Sequence, residues 1–210
     1  MIIYEAPQGS EEWHRARVGR ATASMFKTAR SKLKKDSAPT EAAKNYGFKV
    51  AFESLTQIPM DEGFETWQMR RGNELEPDAR NRYEIRTGNT VDLAGFITTD
   101  CGAYGCSADG LVGEDGGIEI KCLVSPEKIR TALLDHDITD WYDQVQGGLW
   151  ITERKWWDFI IYCPALEPLG RELTIWRIDR DEQYIRDLEH DLLDFMAMVD
   201  LYKMKLRTNQ

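Results

Sequence analysis

The stretch that most constrains the fold is GGIEIKC, Gly116 to Cys122. A Gly-Gly pair permits a tight turn, and from Ile118 onward apolar and polar residues alternate strictly. That period belongs to a strand with one buried face. Ile118 and Ile120 point into a core, while Glu119 and Lys121 share the opposite face. Tyr104 to Val112, broken by Gly105 and Gly110, reads as the preceding strand, so the two form a hairpin around GEDGG. In that register Asp109, at the end of the first strand, stands beside Glu119 and Lys121.

Helices and strands are expected on either side. Glu11 to Arg17 reads as a short helix with Ser10 as its N-cap, and Met25 to Lys35 as a weak helix fraying into a lysine-rich loop. After Pro39-Thr40, helical spacing places Tyr46, Val50, Ala51 and Leu55 on one stripe. Phe64 to Tyr83 follows as a second long helix, with Met69, Leu75 and Tyr83 roughly on one face. Val91 to Thr98 is a partly alternating strand, Pro126 opens a helix, and Trp141 to Trp150 is an amphipathic helix. WWDFIIYC and ELTIWRI are two more strands. A last long helix carries Tyr184, Leu188, Leu192, Phe195, Val199 and Tyr202 at three- and four-residue steps. No repeat or low-complexity linker interrupts the 210 residues. The expectation is one mixed α/β domain over residues 1–210, built around a central sheet flanked by helices.

Composition narrows the partners. With 42% hydrophobic residues and seven Trp, the chain can bury a substantial core. No stretch reaches the roughly 18 apolar residues of a membrane span, and the start MIIYEAPQGSEEW does not read as a signal peptide. Cys101, Cys106, Cys122 and Cys163 lack CxxC spacing, so reduced thiols in a cytoplasmic protein are expected, with no zinc site. The net charge of −9 argues against nucleic acid, but its distribution argues for it. Arg15, Arg17, Arg20, Lys27, Arg30, Lys32, Lys34 and Lys35 form a basic run without an acid, suited to phosphate contacts. Asp181 to Asp200 is strongly acidic and reads as a solvated surface.

The hairpin carries the chemistry. Hydrolysing a phosphodiester requires charge stabilisation at phosphorus and a hydroxide near neutral pH. Two carboxylates and a backbone carbonyl make a hard oxygen site for Mg²⁺, which acidifies bound water. A lysine beside such a site can hold or deprotonate the attacking water. Spacing alone leaves the choice open, because Asp109, Glu119 and Lys121 would also suit a solvated strand edge.

Four ordered blocks add to this: WHRARVGRATAS (Trp13–Ser24), RGNELEPDAR (Arg71–Arg80), CSADGL with GIEIKC (Cys106–Leu111 and Gly117–Cys122), and QVQGGLW (Gln144–Trp150). Together they resemble the phage lambda exonuclease family, the YqaJ-type viral recombinases or alkaline exonucleases of the PD-(D/E)xK nuclease superfamily. The resemblance runs from about Trp13 to Tyr184. It implies a restriction-endonuclease-like mixed sheet flanked by helices. It also implies a processive 5′→3′ exonuclease that acts on linear double-stranded DNA ends and leaves a 3′ single strand for recombination. Mg²⁺ is the implied cofactor, replaceable by Mn²⁺, with two ions per site. The implied partners are two more copies of the chain in a ring-shaped homotrimer and a single-strand annealing protein.

By the same resemblance Asp109 and Glu119 are metal carboxylates, the Ile120 carbonyl is a further ligand and Lys121 is the catalytic lysine. Glu76 completes the site, and Gln144 stands on the helix behind it. Arg17, Ser24 and Ser107 hold the 5′-terminal phosphate, since a guanidinium and hydroxyls suit that group. Met69 lies where the family wedges the strands apart, but it suits a core equally and stays outside the assigned site. Ser24 could instead cap a helix beginning at Met25, and Glu76 and Gln144 could be plain polar helix positions. His14, His136 and His190 read as structural or surface residues. Where the superfamily name expects proline, the chain has Ala108, which removes stiffness but no ligand. The alternatives are an endonuclease or single-strand nuclease on the same core, and a catalytically inactive DNA-end-binding protein.

Overall fold

The computed structural model describes residues 1–35, 37–60 and 67–208, without the side chains of residues 68 and 69. In chain order the elements begin β1 (Ile2–Tyr4), α1 (Glu11–Arg17), β2 (Ala21–Thr22), a 3-10 turn (Ala23–Met25), α2 (Phe26–Ala29), α3 (Glu41–Thr56) and α4 (Trp67–Thr87). Then come β3 (Phe96–Thr98), β4 (Tyr104–Cys106), β5 (Gly110–Val112), β6 (Gly116–Cys122), α5 (Pro126–Leu133) and α6 (Thr139–Thr152). The chain ends with β7 (Trp156–Tyr162), a second 3-10 turn (Pro164–Leu169), β8 (Leu173–Asp179) and α7 (Glu182–Arg207).

The mixed α/β architecture is as expected. The strands divide between two four-stranded sheets, ordered β1-β3-β4-β2 and β5-β6-β7-β8. The stretch Tyr104 to Val112, anticipated as one broken strand, is split between them: β4 ends in the first sheet and β5 begins in the second. Asp109 sits in the link. The hairpin is present, with Gly110 opposite Ile118 and Val112 opposite Gly116. β6 and β7 are parallel, and α5 and α6 form the crossover such a pair requires.

Helices cover both faces of the second sheet, which explains why WWDFIIY is apolar on both sides. On one face Ala79 and Tyr83 of α4 pack on Ile118, Ile120 and Ile160. On the other, Val145 and Leu149 of α6 pack on Trp157, Phe159 and Ile161. Glu119 and Lys121 share this second face with Trp157, because parallel neighbours in register point the same way. Asp158, buried within the apolar strand, accepts hydrogen bonds from Tyr83 Oη at 2.7 Å and from Arg177 Nε at 2.6 Å. Burial and that carboxylate push the Tyr83 hydroxyl up to about 12.

α7 starts on Asp181, whose side chain caps the Gln183 and Tyr184 amides, and it packs along α3 with Phe195 stacked 5.4 Å from Tyr46. The weak helix expected over Met25–Lys35 is shorter: α2 ends at Ala29, and Lys32 bridges to Pro39. Of the helix expected from Phe64, the part from Trp67 is present and runs to Thr87, through Pro77. Its first residues, and the side chain of Met69, lie outside the described residues.

Candidate active site

Elements of both sheets and the helices α1, α4, α5 and α6 line one cavity of about 490 Å³. All the residues assigned by resemblance line it: Arg17 of α1, Ser24 of the 3-10 turn, Glu76 of α4, Ser107 and Asp109 of the inter-sheet link, Glu119 to Lys121 of β6, and Gln144 of α6.

Asp109 precedes the hairpin register by one residue, so it stands next to Glu119. Its Oδ2 accepts the Ile120 backbone N–H at 2.6 Å, tying the acid to the strand that carries the other two groups. Lys121 Nζ lies 2.6 Å from Glu119 Oε1 and donates to Gln144 Oε1 at 3.2 Å. The Gln144 amide closes the triangle by donating to Glu119 Oε1 at 2.6 Å. α6 therefore fixes both functional groups of β6 through one side chain. Two glycines beyond Gln144 let the helix approach: a Cβ on Gly148 would stand 2.6 Å from the Trp157 ring, and one on Gly147 2.6 Å from Phe26.

Negative charge is in excess here. Burial first, then the charges of Glu119 and Glu76, hold the Asp109 carboxyl well above its ordinary range. Burial likewise raises Glu76, against the pull of Arg80, its partner one helical turn on. Burial would lower Lys121, but Glu119 and Asp109 outweigh it and keep the ammonium above its ordinary value. Among the described residues no three His, Cys, Asp or Glu side chains close on one point. The donors in reach are two carboxylates and the main chain of Ile120, an all-oxygen set with surplus negative charge, which suits a hard divalent cation.

The other end of the cavity is cationic. Arg17 is half-buried and has no carboxylate partner among the described residues; Nη1 donates to Ser107 Oγ at 3.1 Å. Its guanidinium lies 4.2 Å over the Trp13 ring, and Trp13 Nε1 donates to the same Ser107 Oγ at 3.0 Å. Burial lowers Arg17, yet a guanidinium stays charged. Ser24 is exposed, 3.4 Å from Thr22 Oγ1, and makes no helix cap. None of the three histidines lines the cavity.

Three residues escaped the sequence reading. Trp13 and Arg80 had a signal: each is four residues from its partner on a helix, Arg17 and Glu76 respectively. Gln8 had none; its amide donates to the Ala108 carbonyl at 2.7 Å, 100 residues away. The basic run also differs from expectation. Lys27 pairs with Asp140, Arg30 with Asp143 and Asp191, and Lys32 with Asp191 and Asp194. With Arg15 on Glu11, half of the run expected to contact phosphate is ion-paired among the described residues, and two of its members, Arg30 and Lys32, meet the acidic helix expected to face water. Of its members Arg17 reaches the cavity.

An inter-sheet link that presents one acid, and a strand that presents an acid and a lysine one residue apart, face a cavity whose arginine has no carboxylate partner among the described residues, an arrangement suited to a nuclease-type phosphoester site. The chain belongs to the YqaJ-like viral recombinase family, whose model matches residues 12–155. It is similar to the alkaline exonuclease LHK-Exo of Laribacter hongkongensis, at 33% identity over 94% of this chain and 96% of that one, with a TM-score of 0.82. The same exonuclease in complex with dAMP gives 0.83 at the same identity and coverage. A phage-related exonuclease of Haemophilus somnus 129PT shares the fold at 18% identity, covering 89% of this chain and 94% of that one, with a TM-score of 0.63. No curated protein matches the chain. The family resemblance carried by the four sequence blocks is borne out, and with it the role of a DNA exonuclease.

Proposed function

We propose that the protein trims the 5′-ended strand of linear duplex DNA from its terminus, dependent on Mg²⁺ or Mn²⁺, and leaves a 3′ single strand for recombination. The supporting observation is Arg17, a half-buried cation without a carboxylate partner among the described residues, hydrogen-bonded to Ser107 within the cavity that holds Asp109, Glu119 and Lys121. A terminal phosphate supplies the missing anion, and a guanidinium takes it bidentately. Ser24 and Ser107 offer hydroxyls beside it. An anchored 5′ phosphate places the next phosphodiester at the acids, which favours terminal over internal cleavage. The relative's complex with dAMP fits release of single nucleotides.

Asp109, Glu119 and the Ile120 carbonyl would hold the cation, with Glu76 beside them. Such an ion neutralises phosphate oxygens and acidifies bound water. Lys121, held as an ammonium between Glu119 and Gln144, orients the attacking water by donating to it from Nζ. Gln144 keeps that amine and the Glu119 carboxylate in register. The same reading takes the working form as a ring-shaped homotrimer in the cytoplasm, processive, and partnered by a single-strand annealing protein. Solution mass tests the ring.

End-labelled duplexes test the reaction. Short products must appear from the 5′ label in Mg²⁺ and vanish in EDTA. Arg17→Ala is expected to erase the preference for a 5′-phosphorylated over a 5′-hydroxyl end, a loss of about 1.5–3 kcal/mol for a charge-assisted contact. Equal wild-type rates on both ends would remove the phosphate role, and cutting of closed circles would favour an endonuclease.

A further inference from the structure

Two cavity residues have no part in the chemistry above. Trp141 lies in the first turn of α6, three residues before Gln144, and so on the same helix face. Its indole stands one turn along from the amide that touches Glu119 and Lys121. Phe159 supports the ring from behind, with centroids 5.5 Å apart, and the indole remains half-buried where it lines the cavity. Lys128, exposed on α5, places its ammonium 5.9 Å from the centre of that ring. Lys128 forms no ion pair among the described residues, and it too lines the cavity. Leu123, where β6 runs out, packs on the same core cluster as Trp141 and also lines the cavity.

A half-buried indole on the cavity wall, with a mobile-stemmed ammonium over it that has no ion pair among the described residues, is the chemistry of sequence-tolerant contact with a single strand. The ring stacks a base and the cation takes a phosphate. The cavity volume suits a ligand of nucleotide size. We propose that Trp141 and Lys128 form a stacking platform for the strand being cut, the indole taking the face of one unpaired base and Lys128 the phosphate next to it. Every base has a π-face, so the platform discriminates little among sequences, as an enzyme moving through arbitrary DNA requires. The proposal rests on the nuclease reading and concerns substrate grip alone.

The test is an abasic scan. Duplexes lacking the base at the first, second or third nucleotide of the 5′ strand are compared with the intact duplex in equilibrium binding in EDTA, where no cleavage intervenes. For the wild type, one of the three is expected to bind on the order of 10- to 100-fold more weakly, the range for one stacked base. In Trp141→Leu the intact duplex falls by a similar factor, and removing that base costs nothing more. Trp141→Phe, which keeps an aromatic face, retains part of the abasic penalty and is the fallback if the leucine variant does not fold. Lys128→Gln flattens the log–log salt dependence of binding by about 0.7, as loss of one phosphate contact on a single strand should.

A wild type indifferent to all three abasic sites overturns the proposal. So does a penalty undiminished in Trp141→Leu and Trp141→Phe. An unchanged salt slope removes Lys128 from the platform. If instead these variants weaken only competition by a free deoxynucleoside monophosphate, the surface serves the released product and the assignment to the strand falls. Failure of the wild type to degrade duplex ends would overturn the nuclease reading and is scored separately, with Mg²⁺ present.

Discussion

Asp109 carries a charge that its surroundings oppose. Burial, Glu119 and Glu76 together hold its carboxyl well above the ordinary range. A carboxyl raised on folding binds more protons in the native state, so its contribution to stability is full below the unfolded pKa and is lost as pH rises through the folded one. Asp109→Asn, which keeps an oxygen to accept the Ile120 amide, is therefore expected to melt higher than the wild type at neutral pH in EDTA. The gain should shrink toward acid pH, and the variant should have no nuclease activity. Equal melting temperatures at neutral pH would show that the charge is not strained. Asp191 has the opposite sign. Burial raises it, but hydrogen bonds from Lys32 and Arg30 outweigh that and hold the carboxyl below its ordinary range. Its contribution is present above the unfolded pKa and is lost as pH falls. Asp191→Asn should destabilise at neutral pH by an amount between the about 0–1 kcal/mol of an exposed pair and the about 3–5 kcal/mol of a buried one, and the cost should vanish in acid. Denaturant titrations at two pH values decide it. At this scale legibility followed distance along the chain. Asp109, Glu119 and Lys121 are joined by one hairpin and could be placed from its register. Asp158 could pass for a catalytic acid in the sequence; its partners Tyr83 and Arg177 show it to be structural.

Among the elements, α6 bears the tightest constraint. It places Gln144 by lying so close to β7 and α2 that Gly147 and Gly148 have no room for a Cβ. In an ordinary helix Ala in place of Gly gains about 1 kcal/mol. Here Gly148→Ala meets the buried Trp157 ring, and overpacking of this kind costs about 1–3 kcal/mol. The expected outcome is a net loss of stability and a larger loss of kcat, because the Gln144 amide moves off Glu119 and Lys121. A stabilised, fully active variant would disprove the close approach. Long elements were legible because apolar spacing repeats over several turns, as in α3 and α7. β1 and β2, three and two residues long, are too short for an alternation to repeat and were missed. The division into two sheets was also hidden. It depends on the break between β4 and β5, where Asp109 itself sits, and no local pattern distinguishes such a break from a bent strand.

For the whole molecule, the two opposed charge runs had the least readable meaning. Each looked like a surface feature alone, and pairing across about 160 residues, as between Arg30 and Asp191, leaves no trace in the sequence. A chain of net charge −9 that ties Arg30 and Lys32 of its basic run to its own acidic helix has fewer cations left to hold the side of a duplex. This bears on how targets are found. A nuclease with a cationic flank would linger on the interior of every DNA it met and creep toward an end. A molecule repelled by the backbone at a distance departs quickly from interior sites and reaches termini by repeated collision through solution. Closed circular DNA in large mass excess should then slow digestion of a linear substrate only slightly, as a competition time course would show. Time spent per encounter, rather than strength of attraction, is what the pairing of the two runs adjusts.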